Sequence, residues 1–236
     1  MIKEAIQYLV KLGYGERVVI DDRDYSTNSL YPITEPILKS FTIHTLTGIV
    51  DYFNSPDRLT KANAILHIET PSTLALFSSY DGAWKLRDRF LDIELMLGRP
   101  FNFGGWYDHE KFIIELQSKF LQTHTTEAIL RQIGNISDEH IKNIADDGIG
   151  QQITVKKSIT RDTTAEVLNP VTLQPYRTFL EVNQPESKFV FRVKQKEGEL
   201  PYCALFEADG GRWELEAIKN IKKWLEEKLK DVTIIA

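Results

Sequence analysis

Apolar and polar residues alternate most clearly in the last fifty residues of the chain. Over residues 188–194 every second residue is apolar, which predicts a strand whose buried face is formed by Phe189, Phe191 and Val193. A second apolar run over 202–207 predicts a neighbouring strand. After two glycines, apolar residues recur at helical spacing over 213–230 and predict an amphipathic helix. Its buried stripe is expected to be Ala217, Ile218, Ile221, Trp224, Leu225 and Leu229.

The rest of the chain carries weaker periodicity that still predicts its elements. Helices are predicted over 2–12, 109–120, 126–133 and 137–144, the second of them with Asp108 as its N-cap. Strands are predicted over 17–21, 64–69, 74–78, 84–97, 152–159 and 177–182, and the segment 41–50 fits either a helix or a strand. The polar segment 183–187 is predicted to join the strands 177–182 and 188–194 into an antiparallel hairpin.

Together these elements predict the α+β class, with antiparallel sheets packed against helices. The helical middle segment, at about residues 107–145, lies between β-rich parts. A length of 236 residues suits a single domain over residues 1–236. A subdivision, if there is one, is expected between a mixed α/β lobe over 1–150 and a lobe of β-hairpin and C-terminal helix over 151–236.

Composition and charge narrow the classes of function. The formal net charge is −5, whereas proteins that bind duplex DNA usually carry a basic excess, so duplex DNA is not an expected partner. No apolar run approaches the ~20 residues of a membrane-spanning helix, and the N-terminal residues carry charges too early for a signal peptide. Cys203 is the only cysteine, which excludes an intrachain disulfide and a thiolate-rich zinc site. The expectation is an intracellular protein without a membrane partner.

The strongest candidate for a functional site is the junction of the last strand and the last helix. This acidic corner consists of Glu207, Asp209, Gly210 and Gly211. Residues two apart on a strand point to the same side, so the two carboxylates could hold a divalent cation. The favoured interpretation is a polar turn in which Asp209 caps the helix and the glycines take positive φ. A contact with another subunit or partner is the third interpretation.

A second charged group consists of Arg177, Glu181 and Arg192. Arg177 and Glu181 would share one face of a straight strand, and Arg192 would reach Glu181 across the predicted hairpin. A cross-strand ion pair is the favoured interpretation, and a charged cleft beside Glu207 is the alternative. Binding residues are therefore predicted at Arg177, Glu181, Arg192, Glu207 and Asp209, and no catalytic residue is predicted.

Aromatic residues and the cysteine complete the set of candidates. Phe101, Phe103, Trp106 and Tyr107 cluster around a glycine pair. Buried, they would be plain core, which is the favoured interpretation; exposed, they could stack on nucleobases or form a subunit contact. Cys203 lies in an apolar strand and is predicted to be inert core.

Several segments, mostly in the C-terminal third, are similar to a family of uncharacterised phage and prophage proteins, sometimes encoded near recombination or single-strand-binding genes. The similar segments are 173–179 (LQPYRTF), 181–187 (EVNQPES), 204–213 (ALFEADGGRW) and 220–225 (NIKKWL), with 107–112 (YDHEKF) as a further match. The resemblance implies expression in the cytoplasm of a bacterial host during infection or lysogeny. It assigns no activity to any residue, and it fits a non-enzymatic homo-oligomer as well as an enzyme.

Two hypotheses of function follow from the sequence. The first is a non-enzymatic, homo-oligomeric binding or assembly protein that serves phage DNA metabolism or counter-defence, needs no cofactor, and has a phage or host protein as a further partner. The alternative is a metal-dependent enzyme that acts on nucleotides or nucleic acid. In that alternative, Glu207 and Asp209, joined by Glu181, would bind Mg²⁺ or Mn²⁺.

Overall fold

The structure is a computed structural model of the chain. It describes residues 2–13, 15–26, 39–56, 63–80, 87–137, 140–146, 151–158, 161–167, 169–195 and 201–236. The helices are α1 (Ile2–Gly13), α2 (Leu46–Asn54), α3 (His109–Lys119), α4 (His124–Ser137) and α5 (Arg212–Lys228). The strands of the first half are β1 (Arg17–Ile20), β2 (Arg23–Ser26), β3 (Phe41–Ile43), β4 (Ala64–Thr70), β5 (Thr73–Ser78), β6 (Arg89–Glu94) and β7 (Tyr107–Asp108). The later strands are β8 (His140–Asp146), β9 (Gln151–Ser158), β10 (Arg161–Val167), β11 (Val171–Leu173), β12 (Ser187–Lys194), β13 (Tyr202–Glu207) and β14 (Thr233–Ile235).

The first core lies between a four-stranded antiparallel sheet and the helices α3 and α4. The strand order in this sheet is β11-β12-β13-β7. Strand β12 buries every second residue against the helices, because side chains two apart on a strand point to the same face. The large side chains of this core include Phe101, Phe112, Leu116, Phe120, Ile129, Phe189, Phe191 and Leu205.

The second core lies beneath a five-stranded mixed sheet. Its strand order is β14-β4-β5-β6-β3, and both edge strands run parallel to their neighbours. Helices α2 and α5 contribute their apolar stripes to this core, as amphipathic helices do when one side faces a sheet. The buried side chains include Leu46, Ile49, Phe53, Leu66, Leu76, Leu91, Ile93, Ile221 and Leu225.

Residues 174–186, called the connecting segment below, run from the first core to the second. At its start, the Tyr176 amide donates to Lys119 O at 2.9 Å, at the end of α3. Further along, Phe179 and Val182 are buried in the second core. The Thr178 hydroxyl donates to Pro71 O at 2.6 Å, in the turn between β4 and β5. The connecting segment therefore ties the two cores together.

Two further groups of elements lie outside these cores. Helix α1 and the antiparallel hairpin β1–β2 form the N-terminal arm, in which every residue of α1 with a described environment is exposed. Strands β8, β9 and β10 form a three-stranded antiparallel sheet. No helix in the described part of the chain combines the length and apolarity needed to cross a membrane.

The α+β class and most of the predicted elements are confirmed. The helices predicted over 2–12, 109–120, 126–133 and 213–230 are present with small shifts at their ends, and so are the strands over 17–21, 64–69, 74–78, 152–159, 188–194 and 202–207. The ambiguous segment 41–50 divides into β3 and the start of α2. The strand predicted over 84–97 is shorter, since β6 spans Arg89–Glu94 and residues 81–86 lie outside the described ranges.

Two predictions of secondary structure were wrong. Residues 177–182 form no strand, so there is no hairpin between them and β12; that strand pairs instead with β11 and β13. Residues 140–144, predicted to belong to a short helix over 137–144, lie instead in strand β8, which pairs with β9. Pairing with a strand that follows in the chain overrides local helical spacing here.

Candidate functional site

Arg177 is held in place through its backbone by a buried glutamine. The side-chain oxygen of Gln184 accepts hydrogen bonds from the backbone amides of Arg177, at 3.1 Å, and Thr178, at 3.2 Å. Its side-chain nitrogen donates to Thr178 O at 3.3 Å and to Phe179 O at 3.0 Å. These bonds satisfy backbone groups that a strand would satisfy by pairing with its neighbours. The segment 177–182 can therefore be stable without belonging to a sheet.

The Arg177 side chain reaches from this segment to the acidic corner. Its guanidinium donates to Glu207 Oε1 and to the hydroxyl of Ser187, and only 10% of the side chain is exposed. The guanidinium carbon lies 3.9 Å from the centroid of the Trp213 ring and 5.3 Å from that of Phe103. Contacts at these distances are favourable cation–π interactions.

Burial and nearby carboxylates act on Arg177 in opposite directions. Burial lowers the pKa of its guanidinium from the ordinary value, because a low-dielectric environment disfavours the charged form. The carboxylates of Glu207, Asp209 and Glu214 oppose this shift. A guanidinium keeps its charge in proteins, so the acidic corner supplies the negative charge that its burial requires.

The turn of the acidic corner has the positive φ values predicted for its glycines, but the prediction that Asp209 caps α5 was wrong. Gly210 and Gly211 have φ values of +64° and +79°, a region that glycine adopts without steric cost. The Asp209 carboxylate accepts a hydrogen bond from the Gly211 amide at 3.1 Å. Gly211 itself occupies the N-cap position of α5, so Asp209 holds the turn from two residues before that cap. The second carboxylate oxygen of Asp209 is buried and has no hydrogen-bond partner.

A polar groove of about 730 Å³ lies beside this turn. One wall is the first half of α5, with Arg212, Trp213, Glu216 and Asn220, and the other wall is the chain from Asn183 to Lys188. The Asn220 side chain donates to Asn183 O at 3.0 Å and so links the two walls. Acidic and basic side chains line the groove together, so it presents no single sign of charge.

The structure brings together Arg177, Glu207 and Asp209 but places the other two predicted binding residues elsewhere. Glu181 belongs to the connecting segment and contacts the first turn of α2, where its carboxylate accepts a hydrogen bond from the Thr47 amide at 3.2 Å. Arg192 lies on β12 opposite Ala204 of β13, on the face that points away from the first core. The predicted ion pair between Glu181 and Arg192 was therefore wrong, because it depended on a strand that does not form.

The remaining candidates have simple environments. Cys203 is buried, and burial raises the pKa of its thiol to about 12, which agrees with the prediction of inert core. Phe101 and Tyr107 are buried, whereas Trp106 is partly exposed, so the aromatic segment divides between core and surface. Within the described ranges, no group of three or more His, Cys, Asp or Glu side chains is arranged to hold a metal ion.

Sequence reasoning missed Gln184 and Trp213 as partners of Arg177. A glutamine next to a proline in a polar segment has the pattern of a solvent-exposed turn, and nothing local shows that its side chain is buried. Trp213 does carry a signal, since it begins the final helix but lies outside the predicted buried stripe.

Comparisons with protein-family models, with curated proteins and with solved structures found no match for this chain.

Proposed function

We propose that the chain is a non-enzymatic, homo-oligomeric assembly protein and that helix α1 is its self-association element. One observation carries this proposal. The apolar residues Ile2, Ile6, Leu9 and Val10 lie on one side of α1, at the spacing i, i+4, i+7 and i+8. All four are exposed, Ile2 by 80% and Leu9 by 66%.

Such a helix gains little stability within a single chain. An isolated helix of about 12 residues is marginal in water, because tertiary packing of the apolar face supplies most helical stability. The neighbouring hairpin β1–β2 is equally dependent on a partner, since an isolated two-stranded hairpin is marginally stable at best. Its residues Val19 and Ile20 are also exposed. The whole N-terminal arm therefore requires a surface that covers it.

A second copy of the same chain is the partner that suits α1. In an antiparallel pair of α1 helices, the apolar stripes face each other and the helix dipoles align favourably. Glu4 in the first turn of one helix then lies close to Lys11 in the last turn of the other. Burying one partly exposed aliphatic side chain contributes about 1–2 kcal/mol. Eight such side chains would contribute roughly 8–16 kcal/mol, which is comparable with the ~4–15 kcal/mol cost of association.

The wider setting of this proposal comes from the resemblance to phage and prophage proteins. The resemblance supports the proposal that this is a protein of a phage or prophage and that it acts in the cytoplasm of a bacterial host. The activity served would be DNA metabolism or counter-defence, with a phage or host protein as a further partner. The contacts of Arg177 support the non-enzymatic reading, because both the guanidinium and the Glu207 carboxylate already have partners within the chain.

Light scattering coupled to size exclusion tests self-association directly. We expect light scattering to give the wild-type protein a mass of at least two chains of 27.2 kDa. The double substitution Ile6→Glu and Leu9→Glu should yield the monomer, because it places four charges in each stripe-to-stripe contact. Circular dichroism should show that the two cores of the double variant remain folded.

Ile114→Glu with Leu215→Glu is the matched control. These residues are also exposed aliphatic side chains on helices, but they lie on α3 and α5 instead of the N-terminal arm. This control should keep the wild-type mass. A monomeric wild-type protein, or an α1 double variant that keeps the oligomeric mass, would refute the proposal.

A metal-dependent enzyme is the second candidate, and the unpartnered oxygen of Asp209 favours it. A buried carboxylate oxygen without a donor is costly, and a divalent cation would satisfy it. Calorimetric titration with Mn²⁺ should then show binding that Asp209→Asn abolishes. Absence of binding at millimolar Mn²⁺ would remove this candidate.

A further inference from the structure

The four-stranded sheet of the first core has one face that no helix of this core covers. Its inner face packs against α3 and α4, and its outer face carries the alternate residues of β12 and β13. The side chains that mark this outer face are Lys188, Arg192, Lys194, Tyr202, Phe206 and Trp106. The exposed side chains of this face are therefore basic and aromatic, whereas Ala204, between Tyr202 and Phe206, is fully buried and one guanidinium nitrogen of Arg192 is buried as well.

The aromatic side chains of the outer face are exposed and held in place. Trp106 is 39% exposed and Phe206 is 37% exposed, with ring centroids 6.1 Å apart. The loop before Trp106 is fixed to β13 by a hydrogen bond from the Gly104 amide to Leu205 O at 2.8 Å. Tyr107, the next residue, is paired with Cys203 in the sheet. The two exposed rings therefore form a preorganised platform.

The basic side chains follow one strand across this platform. Lys188, Arg192 and Lys194 all lie on the outer side of β12, and the first and last are six residues apart, or ~20 Å along the strand. The Lys194 ammonium lies 4.0 Å from the centroid of the Trp106 ring. Asp108 lies at the rim of the outer face, where its carboxylate accepts a hydrogen bond from the Lys111 amide. Two exposed lysines thus lie on this face of a chain whose formal net charge is −5, and Arg192 between them is partly buried.

We propose that the outer face binds single-stranded nucleic acid. Bases stack on Trp106 and Phe206, and phosphates contact Lys188 and Lys194. Exposed aromatic rings interleaved with cations provide both interactions that sequence-independent binding of single strands uses, and an open sheet face with two or three stacking rings accommodates unpaired bases. A sheet face offers no helix or ribbon to enter a duplex groove, so duplex DNA is not the ligand. This inference does not depend on self-association through α1.

Fluorescence anisotropy with a labelled oligo(dT) of about 20 nucleotides tests this inference at about 50 mM salt. The wild-type protein should bind it, and an excess of duplex of the same length should compete weakly. Trp106→Ala should weaken binding by about tenfold or more, because one stacking surface is lost. Lys188→Ala with Lys194→Ala should reduce the slope of log affinity against log salt by about 1.4, since two phosphate contacts are lost at ~0.7 each.

Tyr80→Ala and Lys219→Ala are the matched controls. Tyr80 is also exposed and also lies beneath a cation, with the Arg87 guanidinium 3.9 Å from its ring, and Lys219 is an exposed lysine on α5. Both variants should bind like the wild type. No binding at about 100 µM folded wild-type protein would overturn the proposal, as would equal losses in the control variants. A change in oligomeric mass on Trp106→Ala, with oligo(dT) binding intact, would assign the face to a protein partner instead.

Discussion

The side chain of Gln184 is the most sensitive single point in the connecting segment. It is buried, and it makes four hydrogen bonds to the backbone of residues 177–179. Gln184→Ala removes all four and leaves two amides and two carbonyls without these partners. We expect a loss of about 4 kcal/mol in the free energy of unfolding, because each net hydrogen bond contributes about 1 kcal/mol.

Urea unfolding followed by circular dichroism measures this loss. Gln117→Ala is the matched control, since Gln117 is an exposed glutamine on α3, and it should change stability by less than ~0.5 kcal/mol. Gln184→Glu adds a sharper comparison. An ionised carboxylate accepts from both amides but cannot donate to the two carbonyls, so this variant should also be destabilised at neutral pH.

The two Gln184 variants should differ in their dependence on pH. Burial raises the pKa of a carboxyl at this position above its unfolded value of about 4.3. The free energy of unfolding of Gln184→Glu is therefore highest when the carboxyl is protonated, and it falls as pH rises from the unfolded pKa to the raised folded pKa. The loss of stability in Gln184→Ala should not depend on pH in this way. A loss below about 1 kcal/mol for Gln184→Ala would refute the reasoning, because the four bonds would then contribute almost nothing.

Two further predictions concern single residues of the C-terminal third. Cys203 should not react with a thiol reagent in the folded protein at about pH 8 but should react fully in guanidinium chloride, because its raised pKa keeps the thiol protonated. Rapid labelling of the native protein would contradict this expectation. Since the folded pKa of about 12 exceeds the unfolded value, the free energy of unfolding should fall as pH rises above about 9, and Cys203→Ala should lack this pH dependence. Gly211→Ala should cost about 1 kcal/mol because φ is positive there, whereas Gly134→Ala within α4 should stabilise by roughly 0.5–1 kcal/mol. Thermal unfolding of both variants decides this, and equal shifts of the same sign would argue against the stated cause.

The sequence was informative where a local pattern decides the structure. Alternation over 188–194 and the helical stripe of α5 each need one buried face, and the structure buries those faces. The glycine pair at the acidic corner was predicted to take positive φ, and it does. These features depend on residues close in the chain, so periodicity and turn chemistry were sufficient to find them.

The sequence was misleading where distant residues decide the structure. The segment 177–182 has strand-like composition, but the side chain of Gln184 takes the place of a neighbouring strand. Residues 140–144 were predicted to be helical, but pairing with β9 makes them part of a strand. For the candidate site, Arg177 could be singled out by its charge, and Trp213 by its place outside the buried stripe of α5, whereas the contact between them depends on how α5 packs.

The distribution of the two cores along the chain has a consequence for the order of folding during synthesis. Every residue of the first core lies within 101–205, whereas the second core combines residues 46–93 with Phe179, Val182 and residues 221–229. Chains emerge from the ribosome N-terminus first, and folding units form as their residues become available. The first core can therefore be completed while α5 and β14 are still within the ribosome, and the five-stranded sheet keeps an uncovered apolar face until α5 and β14 have emerged.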